Sequence, residues 1–168
     1  MNNSLRDLPR SLYQCKQLES LIICDNRLLS LHQDIGHLRC LKELNVSDNR
    51  LRDLPQSLYQ CKQLESLKIS TNDLQSLHQD IGHLSCLKEL DVSDNMLTEL
   101  PQSLCQCKQL ESVIIIQNKL KSLHKDIGHL SCLKNLYMWK NKLNHLPQSL
   151  YQCKQLQSLH LGWNQLQS

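Results

Sequence analysis

A period of 23 residues runs through the chain and constrains its fold more than any other feature of the sequence. The pattern L-x-x-L-x-L-x-x-N-x-L returns without a slip in register, with conservative replacements at some apolar positions. Its seven copies start at Leu18, Leu41, Leu64, Leu87, Leu110, Leu133 and Leu156. One unit of this size cannot bury its own leucines, so neighbouring units must stack into a continuous core. The period predicts a single repeat domain over residues 1–168, which begins with a partial repeat at residues 1–17.

Two kinds of repeat alternate along the chain and give a second period of 46 residues. One kind contains LPQSLYQCKQL and the other contains LHQDIGHLSCL. All four prolines occupy the same place in the first kind, and three of the four glycines occupy the same place in the second. Because Pro fixes φ and Gly tolerates unusual dihedral angles, we expect these residues to shape turns on the convex side and to carry no chemistry.

These motifs resemble the leucine-rich repeat family over essentially the whole chain. The LPxxL segment at residues 54–58 is similar to the 23-residue intracellular repeats of scaffold proteins and of effectors that bacteria inject into host cells. The resemblance implies an α/β leucine-rich repeat solenoid, a curved right-handed arc with a parallel β-sheet on its concave face and turns or 3₁₀ segments on its convex face. It also implies a structural ladder of asparagines whose amides bond to the backbone of neighbouring repeats. The ladder would contain Asn26, Asn49, Asn72, Asn95, Asn118, Asn141 and Asn164.

The copies differ mainly on one side of the predicted sheet. Residues 57–102 and 103–148 align over 46 positions with 30 identities and 16 differences. Counted from the first Leu of each repeat, 14 of these differences fall at positions 3 to 13, which are the strand and the loop that leaves it. A binding surface on an unchanged scaffold would vary in this way, although drift at positions that nothing packs against would also produce the pattern. The kinds of residue that the changes introduce favour binding.

The alternation of strand residues identifies the concave face. Positions 5 and 7 of each repeat point outward, and positions 3 and 8 flank them. This face is polar in the middle and apolar toward its C-terminal end, where both tryptophans lie. Aromatic residues within a polar surround are typical of an interface hot spot. The predicted partner-binding residues are Ile114, Ile116, Tyr137, Trp139, Lys140, Lys142, His160 and Trp163, and a secondary polar surface contains Asp91, Ser93 and Asp94.

Charge distinguishes the same end of the molecule. Residues 1–115 carry 12 Lys and Arg against 15 Asp and Glu, whereas residues 116–168 carry 7 against 1, so net charges of −3 and +6 sum to the total of +3. Four of the lysines follow strands beside the aromatic residues, namely Lys119, Lys121, Lys140 and Lys142. We therefore expect a protein partner with acidic and apolar groups, the alternative being that the lysines form only a solvated face.

Two other functions compete with partner binding. A second subunit or an absent cap would also account for the apolar cluster, because solenoid ends normally carry polar capping repeats and an exposed strand edge invites pairing with another copy. The chain would then be a self-assembling structural unit, such as a homodimer. Nucleic-acid binding is a weaker alternative, because lysines and stacking aromatics coexist here but no groove-reading motif is present.

Cysteine and histidine patterns do not indicate catalysis or a metal site. Four cysteines recur every 46 residues where the other repeats have Leu, which predicts small buried apolar residues. They are Cys15, Cys61, Cys107 and Cys153. The motif H-x-D-I-G-H occurs three times, as expected of a turn and not of a catalytic centre. The unrepeated Cys24 and His160 lie six strands apart, roughly 29 Å, so we predict no nucleophile and base pair, no enzyme activity, no metal and no cofactor.

The sequence favours a cytoplasmic location. Met1 leads directly into polar residues without the apolar stretch of a secretory signal. The sequence also lacks the apolar run of 18 residues that would predict a membrane-spanning helix. Nine cysteines, an odd number, suit a reducing compartment. A bacterial effector would act in the cytoplasm of the host.

Overall fold

A computed structural model describes residues 4–167, so residues 1–3 of the predicted partial repeat and residue 168 lie outside the described part. Seven three-residue strands form one parallel sheet whose order follows the chain. The strands are β1 (Ser20–Ile22), β2 (Glu43–Asn45), β3 (Ser66–Lys68), β4 (Glu89–Asp91), β5 (Ser112–Ile114), β6 (Asn135–Tyr137) and β7 (Ser158–His160). Each strand pairs with the next so that residues at the same position of adjacent repeats lie side by side, as Leu44 does with Leu67.

A five-residue 3₁₀-helix precedes every strand and lies on the convex side. These helices are η1 (Arg10–Gln14), η2 (Gln33–His37), η3 (Gln56–Gln60), η4 (Gln79–His83), η5 (Gln102–Gln106), η6 (Lys125–His129) and η7 (Gln148–Gln152). The predicted solenoid, with a curved parallel sheet on one side and 3₁₀ segments on the other, is confirmed.

The two kinds of repeat begin their 3₁₀-helices differently. In the LPQSLYQ kind, Pro55 precedes the helix in an extended conformation with φ −64°. In the LHQDIGH kind, the Nδ1 atom of His78 accepts a hydrogen bond from the backbone N–H of Asp80 at 3.1 Å. His32 and His124 make the equivalent bond. The first histidine of each H-x-D-I-G-H motif is therefore a helix cap.

Apolar side chains from every repeat form one core between the sheet and the 3₁₀-helices. At the central strand position, Leu44, Leu67, Leu90 and Leu136 are fully buried, whereas Leu159 of β7 is 38% exposed. Burying one such side chain contributes about 1.5–3 kcal/mol. Stability therefore comes mainly from contacts between neighbouring repeats, and a strand at either edge of the sheet has only one such neighbour.

One asparagine per repeat connects the turn after each strand to the preceding repeat. The Nδ2 group of Asn95 donates to the Val92 and Ser93 carbonyls of its own repeat at 3.0–3.1 Å. In the preceding repeat, the same amide reaches the Ile69 carbonyl through Nδ2 and the Leu74 N–H through Oδ1, each at 2.9 Å. The side chain thus satisfies buried backbone groups on both sides. The equivalent acceptor bond is made by Asn26, Asn49, Asn72, Asn118, Asn141 and Asn164.

Replacing Asn95 with Ala should lower the free energy of unfolding by about 1–3 kcal/mol, because its bonds are lost while the backbone groups stay buried. Urea denaturation followed by circular dichroism measures this difference. Asn144→Ala is the control, since Asn144 is exposed and outside the ladder. If both variants match the wild-type chain in stability, the asparagine ladder does not hold the repeats together.

The repeated glycines are required by close packing and not by their dihedral angles. No glycine in the described part has a positive φ, which corrects the expectation that they shape the turns. A Cβ atom on Gly82 would lie 2.6 Å from the carbonyl oxygen of Ser103, and Gly36 approaches Ser57 equally closely. The Ser103 hydroxyl also donates across this contact, to the carbonyl oxygen of Gln79. Glycine therefore allows each LHQDIGH helix to approach the LPQSLYQ helix that follows it.

We expect Gly82→Ala to destabilise the fold by about 1–3 kcal/mol, because the added methyl group overlaps backbone atoms that cannot easily move. Gly162→Ala is the matched control, since a Cβ atom there would meet nothing within 4 Å. The melting temperatures of the two variants, compared with that of the wild-type chain, test this expectation. Equal destabilisation by the two substitutions would show that close packing is not the reason for Gly82.

Cysteines at the 46-residue period are core residues wherever a preceding repeat covers them. Cys61, Cys107 and Cys153 are buried as predicted, and burial raises the pKa of Cys61 to about 11 and that of Cys107 to about 12. The Cys107 thiol donates to the carbonyl oxygen of Ile81 at 3.3 Å. Cys15 is exposed, so its predicted burial was wrong, because no described repeat packs against that side of it.

Candidate partner-binding face

The register of the sheet places equivalent residues of neighbouring repeats side by side on the concave face. Along one row, the paired residues are Asp91 with Ile114, Ile114 with Tyr137, and Tyr137 with His160. Neighbouring strands lie about 4.8 Å apart, so these side chains follow one another without a gap. A parallel row, two residues further along each repeat, contains Ser93, Ile116, Trp139 and Gly162.

Apolar and aromatic side chains occupy the C-terminal half of both rows. The rings of Tyr137 and His160 are inclined at 44°, with their centroids 4.5 Å apart. The Lys140 ammonium lies 4.9 Å from the ring centroid of Trp139, within cation–π distance. The partly buried members of the surface are Ile114, Ile116, Tyr137 and Trp139. The structure therefore brings these predicted residues together on a surface that solvent still reaches.

Trp163 and Lys142 lie on the loops at the edge of this surface. The Trp163 side chain is 81% exposed, and Lys142 is exposed as well. The backbone N–H of Lys140 donates to the carbonyl oxygen of Gly162 at 2.9 Å, which joins the last two repeats beside Trp163. The ring of Trp163 is therefore carried on a fixed backbone and is open to solvent.

Internal hydrogen bonds occupy the polar middle of the face. The Oδ1 atom of Asp91 accepts the backbone N–H of Ser93 at 3.0 Å, and the Ser93 hydroxyl accepts that of Ile116 at 3.2 Å. Ser93 is consequently only 6% exposed, although the strand alternation assigned it to the outward surface. Its hydroxyl turns toward the backbone of the next repeat, which removes it from the secondary polar surface. Asp91 and Asp94 remain partly exposed.

Position 8 of every repeat has a left-handed backbone conformation that the repeat pattern alone did not predict. The residues, with φ from 51° to 57°, are Asp25, Asp48, Thr71, Asp94, Gln117, Lys140 and Trp163. Asp tolerates this conformation, whereas Thr, Gln, Lys and Trp adopt it rarely. The recurrent Asp-Asn pair was the available signal. The last three repeats thus carry unfavourable residues at the edge of the candidate site, and strained backbone is often found at functional sites.

Thr71→Asn should raise the free energy of unfolding by about 1 kcal/mol, because Asn tolerates positive φ and a β-branched side chain does not. The midpoint of urea denaturation reports the change. Thr98→Asn is the control, because Thr98 is an exposed threonine outside the left-handed positions. A gain for both variants, or for neither, would mean that the backbone at position 8 is not strained by Thr71.

Residues 4–167 contain no metal-ligand cluster and no membrane-spanning helix, and they do not bring Cys24 and His160 together. This part of the chain has no cluster of three or more His, Cys, Asp or Glu side chains suited to a metal ion. It also has no helix with the length and apolar character needed to cross a membrane. Cys24 follows β1 and His160 ends β7, at opposite edges of the sheet, so they cannot act as a pair.

Comparison with known proteins identifies the repeats. The family model described as leucine rich repeat matches residues 16–74, 62–120 and 108–166. The structure is similar to an LRR protein of Leptospira interrogans, with 28% identity, a TM-score of 0.67, and coverage of 98% of this chain and 54% of that one. It is also similar to the crystal structure of PEPR1–AtPEP1, with 26% identity, a TM-score of 0.84 and coverage of 94% and 23%.

An internalin, InlF of Listeria monocytogenes, shares the fold at 19% identity and a TM-score of 0.81, with coverage of 94% of this chain and 45% of the internalin. The chain thus spans 54% of the Leptospira protein and smaller shares of the other two. No curated protein sequence matches the chain significantly.

Proposed function

The chain belongs to the leucine-rich repeat family, and on this basis we propose that it is a protein-binding module whose partner contacts the concave face. The module acts by holding its partner in place and not by catalysing a reaction. The contacts lie mainly on the C-terminal half of the face, with Asp91 and Asp94 as a secondary polar region. The contact residues are Ile114, Ile116, Tyr137, Trp139, Lys140, Lys142, His160 and Trp163.

One observation carries this proposal, namely the change from hydrogen-bonded polar side chains to exposed apolar and aromatic side chains along the concave face. In the middle of the face, Asp91 bonds to Ser93 and Lys68 lies 3.1 Å from the Glu89 carboxylate. These polar groups therefore already have partners within the fold. From Ile114 onward, apolar and aromatic atoms meet solvent instead. Aromatic side chains on a rigid support bury large areas at small entropic cost, which makes them effective binding anchors.

A cytoplasmic location is part of the proposal. All nine cysteines are free, which suits a reducing compartment. The LPxxL repeats and the similarity to a Leptospira protein support a bacterial effector, which would act in the cytoplasm of a host cell.

Self-association is a second candidate function, favoured by the C-terminal end of the stack. Tyr151 and Leu159 are 81% and 38% exposed there, and they line an apolar cleft with Leu146 and Leu156. A second copy seated on this cleft would bury the exposed apolar atoms. Sedimentation velocity separates the two functions, since a concentration-dependent dimer favours self-association and a monomer at all concentrations favours binding of another protein.

The double variant Tyr137→Ser and Trp139→Ser tests the proposed binding face. We expect it to retain at least tenfold less of the proteins that the immobilised wild-type chain captures from a cell lysate, because the aromatic anchors are lost. The matched control is Ile22→Ser and Cys24→Ser, which changes positions 5 and 7 of the first repeat. Ile22 is itself 57% exposed, so the control also removes an exposed apolar side chain.

Circular dichroism and melting temperatures must first show that both double variants are folded. Loss of the captured proteins with Tyr137→Ser and Trp139→Ser alone supports the C-terminal half of the face as the binding site. Equal capture by all three chains would place binding elsewhere on the protein, and equal loss in both variants would show that the C-terminal half has no special role.

A further inference from the structure

Four lysines on the loops that leave β5 and β6 have no acidic partner among residues 4–167. These loop lysines are Lys119, Lys121, Lys140 and Lys142, and all four are exposed. Among the salt bridges of the described residues, none involves a loop lysine, and the Lys140 ammonium donates to the neutral Gln117 amide at 3.1 Å. Lys119 and Lys142 occupy the same position in adjacent repeats, which lie about 4.8 Å apart. Like charges at this spacing repel one another unless an anion lies between them.

Opposite charges are paired between adjacent repeats elsewhere in the structure. At position 2, the pairs and their N–O distances are Glu19 with Lys42 at 2.9 Å, Glu65 with Lys88 at 2.6 Å, and Glu111 with Lys134 at 2.7 Å. In the loops of the first two repeats, Arg27 and Arg50 line one groove together with Asp25 and Asp48, near these carboxylates but without a salt bridge among the described residues. The residues equivalent to these aspartates in the fifth and sixth repeats are Gln117 and Lys140. The aspartates that lie near the loop arginines of the first two repeats therefore have no acidic counterpart at the edge of the candidate site.

Apolar atoms lie directly beside the loop lysines. Trp139 contacts the Lys140 ammonium, and Trp163 occupies the position of Lys140 in the next repeat. Successive side chains of an extended peptide point to opposite sides. A peptide that crosses the repeats can therefore direct alternate side chains toward the loops and the others toward the strands. The carboxylates of the peptide would meet the loop lysines, and its apolar side chains would meet the apolar and aromatic side chains of the two concave rows.

A long polyanion fits this face less well than a short acidic segment. Asp91 and Asp94 lie in the fourth repeat, directly beside the fifth, and residues 1–115 carry a net charge of −3. A nucleic-acid strand that continued past the fifth repeat would bring its phosphates toward these carboxylates. A peptide confined to the last three repeats avoids this repulsion.

We propose that the partner presents an extended peptide segment in which acidic and apolar residues alternate, with its carboxylates along the loop lysines and its apolar side chains on Ile116, Trp139 and Trp163. This inference rests on the proposed function and adds the chemistry of the partner and its orientation. The loop lysines set the attraction and the direction of the segment, and the aromatic side chains hold it in place.

Selection from a random twelve-residue peptide display library on the wild-type chain tests the inference. Enriched peptides are then synthesised with a fluorophore, and their dissociation constants are measured by fluorescence anisotropy at 50 mM and 300 mM NaCl. The test variant carries Lys119→Gln, Lys121→Gln, Lys140→Gln and Lys142→Gln. The matched control removes four exposed lysines of the convex side, with Lys16→Gln, Lys62→Gln, Lys125→Gln and Lys154→Gln.

We expect enriched peptides in which Asp or Glu alternates with apolar residues. Their affinity should fall about tenfold or more in the loop-lysine variant, fall with added salt, and stay within about twofold of wild type in the control. Peptides that need Tyr137 and Trp139 but carry no acidic pattern would overturn the inference and leave the proposed function standing. A library that yields no specific peptide also overturns it, while the capture experiment decides the proposed function separately.

Two further measurements test whether nucleic acid or a second copy of the chain occupies this face instead. If a twenty-residue thymidine oligonucleotide binds the wild-type chain and displaces the peptides, the face takes nucleic acid and the inference is wrong. If sedimentation velocity shows a wild-type dimer that dissociates in the loop-lysine variant, the occupant is a second copy of the chain, which also overturns it.

Discussion

The asparagine amide of each repeat, which is buried in the five inner repeats, is the interaction on which the rest of the structure depends. Strands of three residues supply few hydrogen bonds, and the turn after each strand leaves backbone groups inside the molecule. The Asn95 side chain satisfies such groups in its own repeat and in the preceding one. Because every amide bonds to two repeats, separating them would leave buried polar groups unpaired. The spacing and register of the repeats follow from this requirement together with the leucine core.

This arrangement leaves the outward positions free to change. Core leucines, ladder asparagines and the glycine at each close helix contact are determined by their neighbours. The side chains at positions 5, 7 and 8 point away from the core, apart from the buried Ser47 and Ser93 at position 7. Position 8 shows a limit to that freedom, because its left-handed backbone favours Asp, as in Asp94. Trp163 occupies this position despite the unfavourable conformation, and its ring is displayed to solvent on a backbone that the neighbouring repeat holds.

The two halves of the concave face differ in what their side chains contact. In the middle, polar groups bond to the fold itself, as Ser93 does with the backbone of Ile116. Toward the C-terminal end, the partners of Tyr137 and Trp139 are His160 and Lys140, and the apolar surface between them stays accessible. Apolar area and the positive charge of the loop lysines therefore coincide on the same repeats, and a partner can gain from burying one and neutralising the other.

The sequence by itself determined the period, the kind of fold, the core leucines and the outward strand positions, because each depends on a local pattern that recurs in every repeat. It also located the aromatic and basic residues of the candidate face. Only the tertiary structure decided the rest. The burial of Ser93, the exposure of Cys15 and the need for Gly82 depend on how closely an adjacent repeat approaches, and the left-handed conformation of Lys140 depends on the turn that the stack imposes. These features arise from contacts between residues more than twenty positions apart, which a repeat pattern orders but does not bring to a stated distance.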